Sequence, residues 1–156
     1  MEIESWWCVL APLAMIAAGV LLFYLYRVGK PHQPLDLAQM QALFKDKRPE
    51  LQTAFFAAAS TSGKPRGLRW KNCQWHDAIE WVRDKQTGQT LALVGVTISF
   101  EAIEGGDMEG VEAVGNLRDA SAVFFFDREW RTAGRVIFNL GPAEAVEHFK
   151  QGYERI

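Results

Sequence analysis

The chain has 156 residues, of which 49% are hydrophobic and 23% are charged, and its formal net charge is −2. A net charge this close to zero provides no extended basic field, so the composition argues against a nucleic-acid partner. The sequence also lacks a nucleophile elbow, a paired-cysteine zinc pattern, a helical two-histidine metal motif and a phosphate loop. These absences favour a non-enzyme without a cofactor.

A long apolar segment follows a short N-terminal tail, residues 1–5. Residues 6–26 (WWCVLAPLAMIAAGVLLFYLY) contain no charged side chain and are apolar on every face of a helix. A bilayer core of about 30 Å is crossed by roughly 20 such residues, and aromatic residues close both ends, as is typical of the membrane interface. The acidic tail is unlike the basic start of a cleavable signal peptide. We therefore predict one transmembrane helix, with the lipid bilayer as a partner.

The basic residues near this segment predict its orientation. The tail has no Lys or Arg, whereas Arg27 and Lys30 lie in the juxtamembrane linker, residues 27–35. The positive-inside rule then places the N-terminus outside and the C-terminal domain in the cytoplasm. Ala14 and Ala18 have the small-xxx-small spacing, so a protein partner or a homodimer through the span is an open alternative.

Two helices are predicted at the start of the soluble domain, residues 36–156. Asp36 can cap a helix over residues 37–45, and Pro49 suits the first turn of a second helix over residues 49–59. Each has an apolar stripe at helical spacing, which we expect to pack on a core rather than to form a partner-binding groove.

Strands are predicted in the rest of the domain because the apolar residues recur there with a period of two. The clearest strand covers residues 90–103 and follows a hairpin loop at residues 84–88, in which Gly88 is expected to have a positive φ. A second hairpin joins residues 120–126 to residues 130–140. About five strands connected by short turns are expected to pair antiparallel.

A last helix is predicted from Pro142, with Val146, Phe149 and Tyr153 on its apolar side. The predicted fold is therefore a single transmembrane helix followed by an α+β domain, in which a curved antiparallel sheet packs on helices. The order of elements is analogous to that of cystatin-like and nuclear-transport-factor-like (NTF2-like) domains. The analogy concerns element order alone, since no motif is shared.

Two charged segments are candidate binding sites. The loop over residues 101–112 contains Glu104, Asp107 and Glu109, whose carboxylates are weak candidates for a hard cation, although the spacing departs from a calcium loop and a solvated acidic loop is the alternative. Six basic residues are candidates for lipid headgroups, with a solvated, ion-paired strand face as the alternative. They are Arg27, Lys30, Lys64, Arg66, Arg69 and Lys71. Strict alternation puts Trp70 and Trp75 on opposite faces of their strand, which opposes base stacking along one face.

The remaining candidates concern catalysis and small ligands. His76 and Asp77 are adjacent at a predicted turn and are weak candidates for general acid–base chemistry. Trp81 and Glu101 are weak candidates for the mouth of a pocket between the sheet and its helices. The sequence thus predicts a membrane-anchored binding or scaffolding module. The alternative is a membrane-tethered enzyme or small-ligand receptor that uses such a pocket.

Overall fold

An antiparallel six-stranded sheet and two helices form the part of the chain from Leu37 to Ile156. The computed structural model describes residues 19–20, 35–62 and 67–156. The predicted α+β class is confirmed, with six strands rather than five. No helix among these described residues has the length and apolar character that crossing a membrane requires. The predicted span, residues 6–26, lies outside them except for two residues and stays a prediction.

The elements follow one another with short connections. They are α1 (Leu37–Thr61), β1 (Leu68–Asp84), β2 (Thr90–Ala102), a 3₁₀ turn (Glu112–Gly115), β3 (Arg118–Asp127), β4 (Glu129–Arg131), β5 (Val136–Phe138), α2 (Pro142–His148) and β6 (Tyr153–Arg155). The order of strands in the sheet is β4-β3-β2-β1-β6, and β5 also pairs with β3. Because β4 and β5 pair with opposite ends of β3, they form one interrupted edge strand.

Helix α1 is continuous through Pro49, so the prediction of two separate helices is wrong. The buried residues Phe44, Leu51 and Phe55 lie on both sides of the proline and keep one helical phase. Packing of this single stripe on the sheet therefore outweighs the local cost of a proline inside a helix.

The two faces of the sheet carry separate cores. The face covered by α1, here called the α1 face, is rich in aromatic residues and includes Phe44, Phe55, Phe124 and Trp130. The opposite face, here called the α2 face, is smaller and mainly aliphatic. Its buried members are Val82, Leu91, Leu93, Val123, Ile137, Ala145, Val146 and Tyr153.

Strand β1 departs from strict alternation at two places. One extra residue lies between Trp70 and Asn72, and two extra residues precede Ile79, relative to the regular β2. The first bulge shifts the side-chain phase, so Trp70 and Trp75 lie on the same face and their ring centroids are 6.3 and 5.3 Å from that of Phe55. The prediction that they lie on opposite faces is wrong for this reason.

The predicted hairpin turn before β2 is confirmed, with Gly88 at φ +71°. The last helix is shorter than predicted, since α2 ends at His148 and Tyr153 belongs to β6. The Gly152 N–H donates to the Phe149 carbonyl at 2.8 Å, and this turn redirects the chain so that β6 pairs with the end of β1.

Candidate functional site

Aromatic side chains fill the space between α1 and the sheet in the described part of the chain. The Phe44 ring makes edge-on contacts with Trp81, Phe124 and Trp130, at centroid distances of 5.4, 5.4 and 5.1 Å. The Trp130 indole N–H donates to the Met40 carbonyl at 2.7 Å, which satisfies its polar atom. Trp81 is thus partly buried and packs against the core of this face. The rings fill the space beside it, and its role at a pocket mouth stays a prediction.

Glu101 lies on the surface in a cross-strand ion pair. Its Oε1 is 2.5 Å from Nε of Arg69, the residue directly opposite in β1. Such exposed pairs contribute about 0–1 kcal/mol, so the pair is consistent with a solvated strand face. Lys71 is exposed at the first bulge of β1. The other four candidates for lipid contact lie outside the described residues, and lipid contact stays a prediction for all six.

His76 and Asp77 lie within the second bulge of β1, so the prediction of a turn at these residues is wrong: the strand continues through them. The Asp77 carboxylate is fully exposed and lies 3.5 Å from Arg48 of α1, which also donates to the His76 carbonyl. The His76 ring has a different neighbour, since its Nε2 is 2.7 Å from Oγ1 of Thr97 on β2. The structure therefore does not bring these two catalytic candidates together.

His76 is instead part of a hydrogen-bonded chain with two residues that the sequence does not point to. The Thr97 hydroxyl donates to Oδ1 of Asp119 at 2.6 Å. Because that hydroxyl has one proton, His76 must donate its Nε2–H to Thr97, which leaves Nδ1 as the acceptor in the neutral ring. Thr97 is therefore not a nucleophile activated by His76 in this arrangement; it orients the imidazole.

The histidine ring borders an open cavity of about 250 Å³, lined also by Gly95, Asp119, Pro142 and Glu144. A Cβ on Gly95 would lie 3.2 Å from the His76 Cβ and 3.6 Å from Pro142, so glycine leaves room for the ring beside α2. A glycine inside an otherwise apolar strand is the one signal in the sequence for such a close approach. The hydrogen bond from Thr97 to Asp119 depends on the register between β2 and β3, which places these two residues opposite each other.

The acidic loop folds back on the start of β1. The Ile103 N–H donates to the Gly67 carbonyl at 2.8 Å, and the Gly105 N–H donates to the Glu109 carboxylate at 2.9 Å. Glu104 and Asp107 are exposed. Among the described residues, no group of three or more His, Cys, Asp or Glu side chains has a geometry that could hold a metal ion.

An apolar hollow lies between this loop and the sheet. It has a volume of about 280 Å³ and is lined mainly by Leu68, Phe100, Met108, Val114 and Phe138. Two further apolar residues of the same loop region stay exposed. They are Val111 and Leu117. The concavity itself is called the apolar hollow below. The sequence does not predict it, because residues far apart in the chain build it.

A second depression, called the edge groove below, runs between α1 and β1. It has a volume of about 460 Å³, and Phe56, Cys73 and Trp75 are among its lining residues. Burial raises the pKa of the Cys73 thiol to about 11. The thiol is therefore protonated at neutral pH, which opposes a nucleophilic role.

Comparison of this chain with protein-family models, with curated proteins and with solved structures finds no match. We therefore assign no family.

Proposed function

We propose that the protein is a membrane-anchored protein-binding module. Residues 6–26 hold it in the bilayer, and residues 36–156 form a binding domain on the cytoplasmic side. The apolar length of the first segment and the basic residues that follow it support the tether and its direction.

The apolar hollow is the observation that carries the binding role. Leu117 is 66% exposed, Phe138 is 44% exposed and Val111 is 41% exposed. Val111 is near the end of the acidic loop, Leu117 precedes β3 and Phe138 ends β5. Single exposed apolar residues are common, but several beside an apolar concavity are typical of an interaction surface. A partner that buries them gains the free energy of removing this surface from water.

The charges of the loop indicate the chemistry of the partner. The exposed residues Glu104, Asp107, Glu109 and Glu112 have no ion-pair partner within the described chain. One cation, Arg118, is among the residues that line the hollow. A protein segment with apolar side chains flanked by Lys or Arg would complement this surface, and anionic lipid headgroups would be repelled by it.

A membrane-tethered enzyme or small-ligand receptor is the second candidate, and the hydrogen bonds from His76 through Thr97 to Asp119 favour it. The cavity beside His76 is open and measures about 250 Å³. Ligand pockets typically enclose about 300–1,000 Å³. We therefore place the protein-binding role first.

The tether is tested by deleting residues 1–30. We expect the full chain to stay in the membrane fraction after an alkaline wash, and the truncated chain to become soluble with a cooperative unfolding transition. A full chain that is released by the wash would contradict the tether, and a truncated chain that is insoluble would contradict the domain boundary.

The binding role is tested by photo-crosslinking of the full chain in its native membrane. A photoreactive residue replaces Leu117, which precedes the hollow-lining residue Arg118 in the sequence, or, as the control, Gln86 in the exposed turn before β2. We expect a discrete protein adduct at position 117 that is lost when Phe138→Asp is added, and none at position 86. Equal adducts at both positions would contradict the proposal, and so would adducts with lipid alone.

A further inference from the structure

We infer that β1 binds a short extended peptide by strand addition at Cys73 and Trp75, with alternate side chains of the peptide in the edge groove. This inference goes beyond the proposed function because it concerns a different surface from the apolar hollow. It would stand if the hollow bound nothing.

The outer side of β1 is open along most of its length. Within the described chain, β1 has two neighbours, and β6 pairs only with Val82 to Asp84. Residues 68–80 therefore have no strand beside them on the side away from β2 in this part of the structure. Alternate N–H and C=O groups of such an edge are available to an added strand.

The hydrogen bonds at both ends of β2 show which backbone groups point outward. The Asp84 N–H donates to the Gln89 carbonyl at 2.9 Å, and the Ile103 N–H donates to the Gly67 carbonyl at 2.8 Å. The β2–β3 ladder is regular between these ends. Odd-numbered residues of β2 therefore point their backbone groups toward β1.

This alternation fixes the roles of the β1 residues between the bulges. Gln74 pairs with the odd-numbered residue Thr97, so its N–H and C=O are used by the β1–β2 ladder. Cys73 and Trp75 pair with even-numbered residues and point theirs outward. These two residues are the docking positions for a third strand.

The same two residues turn their side chains toward α1, where the edge groove lies. Both side chains line the groove with Gln52, Thr53 and Phe56 of the helix. An added strand has the same pleat, so its alternate side chains enter the space between β1 and α1. A groove between an edge strand and a helix thus supplies backbone pairing and side-chain contact together.

The geometry selects a short peptide over the edge of another sheet. The bulges at residue 71 and at residues 76–78 leave four regular residues, Asn72 to Trp75. At one end of this segment, the Arg48 side chain donates a hydrogen bond to the His76 carbonyl. Bulges and a capped end oppose long edge-to-edge pairing between two copies. None of the side chains lining the groove is charged, which favours uncharged side chains at the inward positions of the peptide.

A proline at position 73 tests the backbone role directly. Cys73→Pro removes an N–H that the β1–β2 ladder does not use, and proline is tolerated in an edge strand at such a position. Cys73→Ala is the matched control, because it removes the thiol and keeps the N–H. Both variants are made in the full chain in lipid nanodiscs.

The probe is a phage-displayed library of random dodecapeptides, selected against the full chain and counter-selected against empty nanodiscs. We expect selected peptides to bind Cys73→Ala within about threefold of the unsubstituted chain and Cys73→Pro at least tenfold more weakly. A bound peptide should also slow hydrogen exchange of the Trp75 amide in the unsubstituted chain. That measurement does not depend on how well the proline variant folds.

Three results would overturn the inference. The first is a selection that yields no peptide above the empty discs, and the second is a set of peptides that bind Cys73→Pro as well as they bind Cys73→Ala. The third is a Trp75 amide that exchanges at the same rate with and without peptide. Peptides whose binding is lost in Phe138→Asp and kept in Cys73→Pro would support the apolar hollow and exclude strand addition.

Discussion

The two faces of the sheet differ in how they are closed. A helix of 25 residues covers the α1 face, and the aromatic rings beneath it contact one another edge-on. A helix of seven residues covers the α2 face over a mainly aliphatic cluster. Edge-on aromatic pairs add about 0.5–1.5 kcal/mol each beyond the burial of their area. The α1 face is therefore expected to supply most of the stability of the described domain.

This difference also bears on where the protein binds. Phe138 of the apolar hollow contacts Trp70 and Phe100, at centroid distances of 6.5 and 6.4 Å, and these rings pack on the α1-face core. The edge groove uses Phe56 and Trp75, which also adjoin that core. Both proposed binding surfaces thus lie at the margins of the aromatic α1 face, and we expect packing against its rings to hold their side chains in place before a partner binds.

The largest expected effect comes from breaking the aromatic core. Phe44→Ala removes a ring in contact with Trp81 and Trp130, and we expect the free energy of unfolding to fall by about 4 kcal/mol. Val146→Ala removes a smaller buried side chain on the α2 face and should cost about 1–2 kcal/mol. Urea unfolding of the full chain in detergent micelles, followed by tryptophan fluorescence, measures both. Equal losses would show that the two faces contribute alike.

The next effect comes from the close approach of the β4–β5 connection to α1. Gly134 has φ +71°, and a Cβ there would lie 2.4 Å from the backbone nitrogen of Ala59. Gly134→Ala therefore combines a left-handed backbone with a clash against a helix, and we expect a loss of about 3 kcal/mol. The same unfolding measurement applies.

Gly88→Ala is the matched control for that clash. Gly88 also has φ +71°, but an added Cβ would have nothing within 4 Å. Its cost should be the conformational one alone, about 1 kcal/mol. If both substitutions cost the same, the contact between the connection and α1 is looser than the structure indicates.

The regular hairpin is the part of the fold that the sequence predicts best. The period-two pattern of β2 and the glycine at position 88 are local signals, and the strand and the positive φ that they predict are both confirmed. Helix propensity does not predict the continuity of α1 through Pro49. The helix stays continuous because its apolar stripe packs on a sheet whose strands come later in the sequence. For the same reason Tyr153, which extends an apolar helical pattern, joins β6 instead.

The candidate sites depend on register, which a single sequence does not provide. One inserted residue in β1 places Trp75 on the face of α1 and so creates one wall of the edge groove. The partners of His76 come from β2 and β3, far along the chain. Adjacency in the sequence makes His76 and Asp77 a candidate pair, whereas the structure gives their side chains different partners, Thr97 and Arg48.

The smallest expected effect concerns the turn between β1 and β2, close to the α2 face. Backbone N–H groups of Thr87 and then Gln86 donate to the Asp84 carboxylate and lower its pKa. A carboxyl group whose pKa is lower in the folded state adds stability above its unfolded pKa, and this contribution is lost as the pH falls through the folded value. Asp84→Asn keeps a carbonyl oxygen as acceptor and removes the charge. We expect it to cost about 0.5 kcal/mol at pH 7, a low value because the group is largely solvated.

That cost should vanish in acid, since the unsubstituted residue then also loses its charge, beginning below about pH 4. Asp84 pairs with Tyr153 of β6, whose ring belongs to the α2-face cluster. Acid should therefore loosen β6 before it affects the aromatic core. The Lys85 amide, which donates to the Gly152 carbonyl at 2.8 Å, reports this loosening through its hydrogen exchange. Equal stability of the two chains at pH 7 would show that the charge of Asp84 contributes nothing, and that the hydrogen-bond acceptor alone holds the turn.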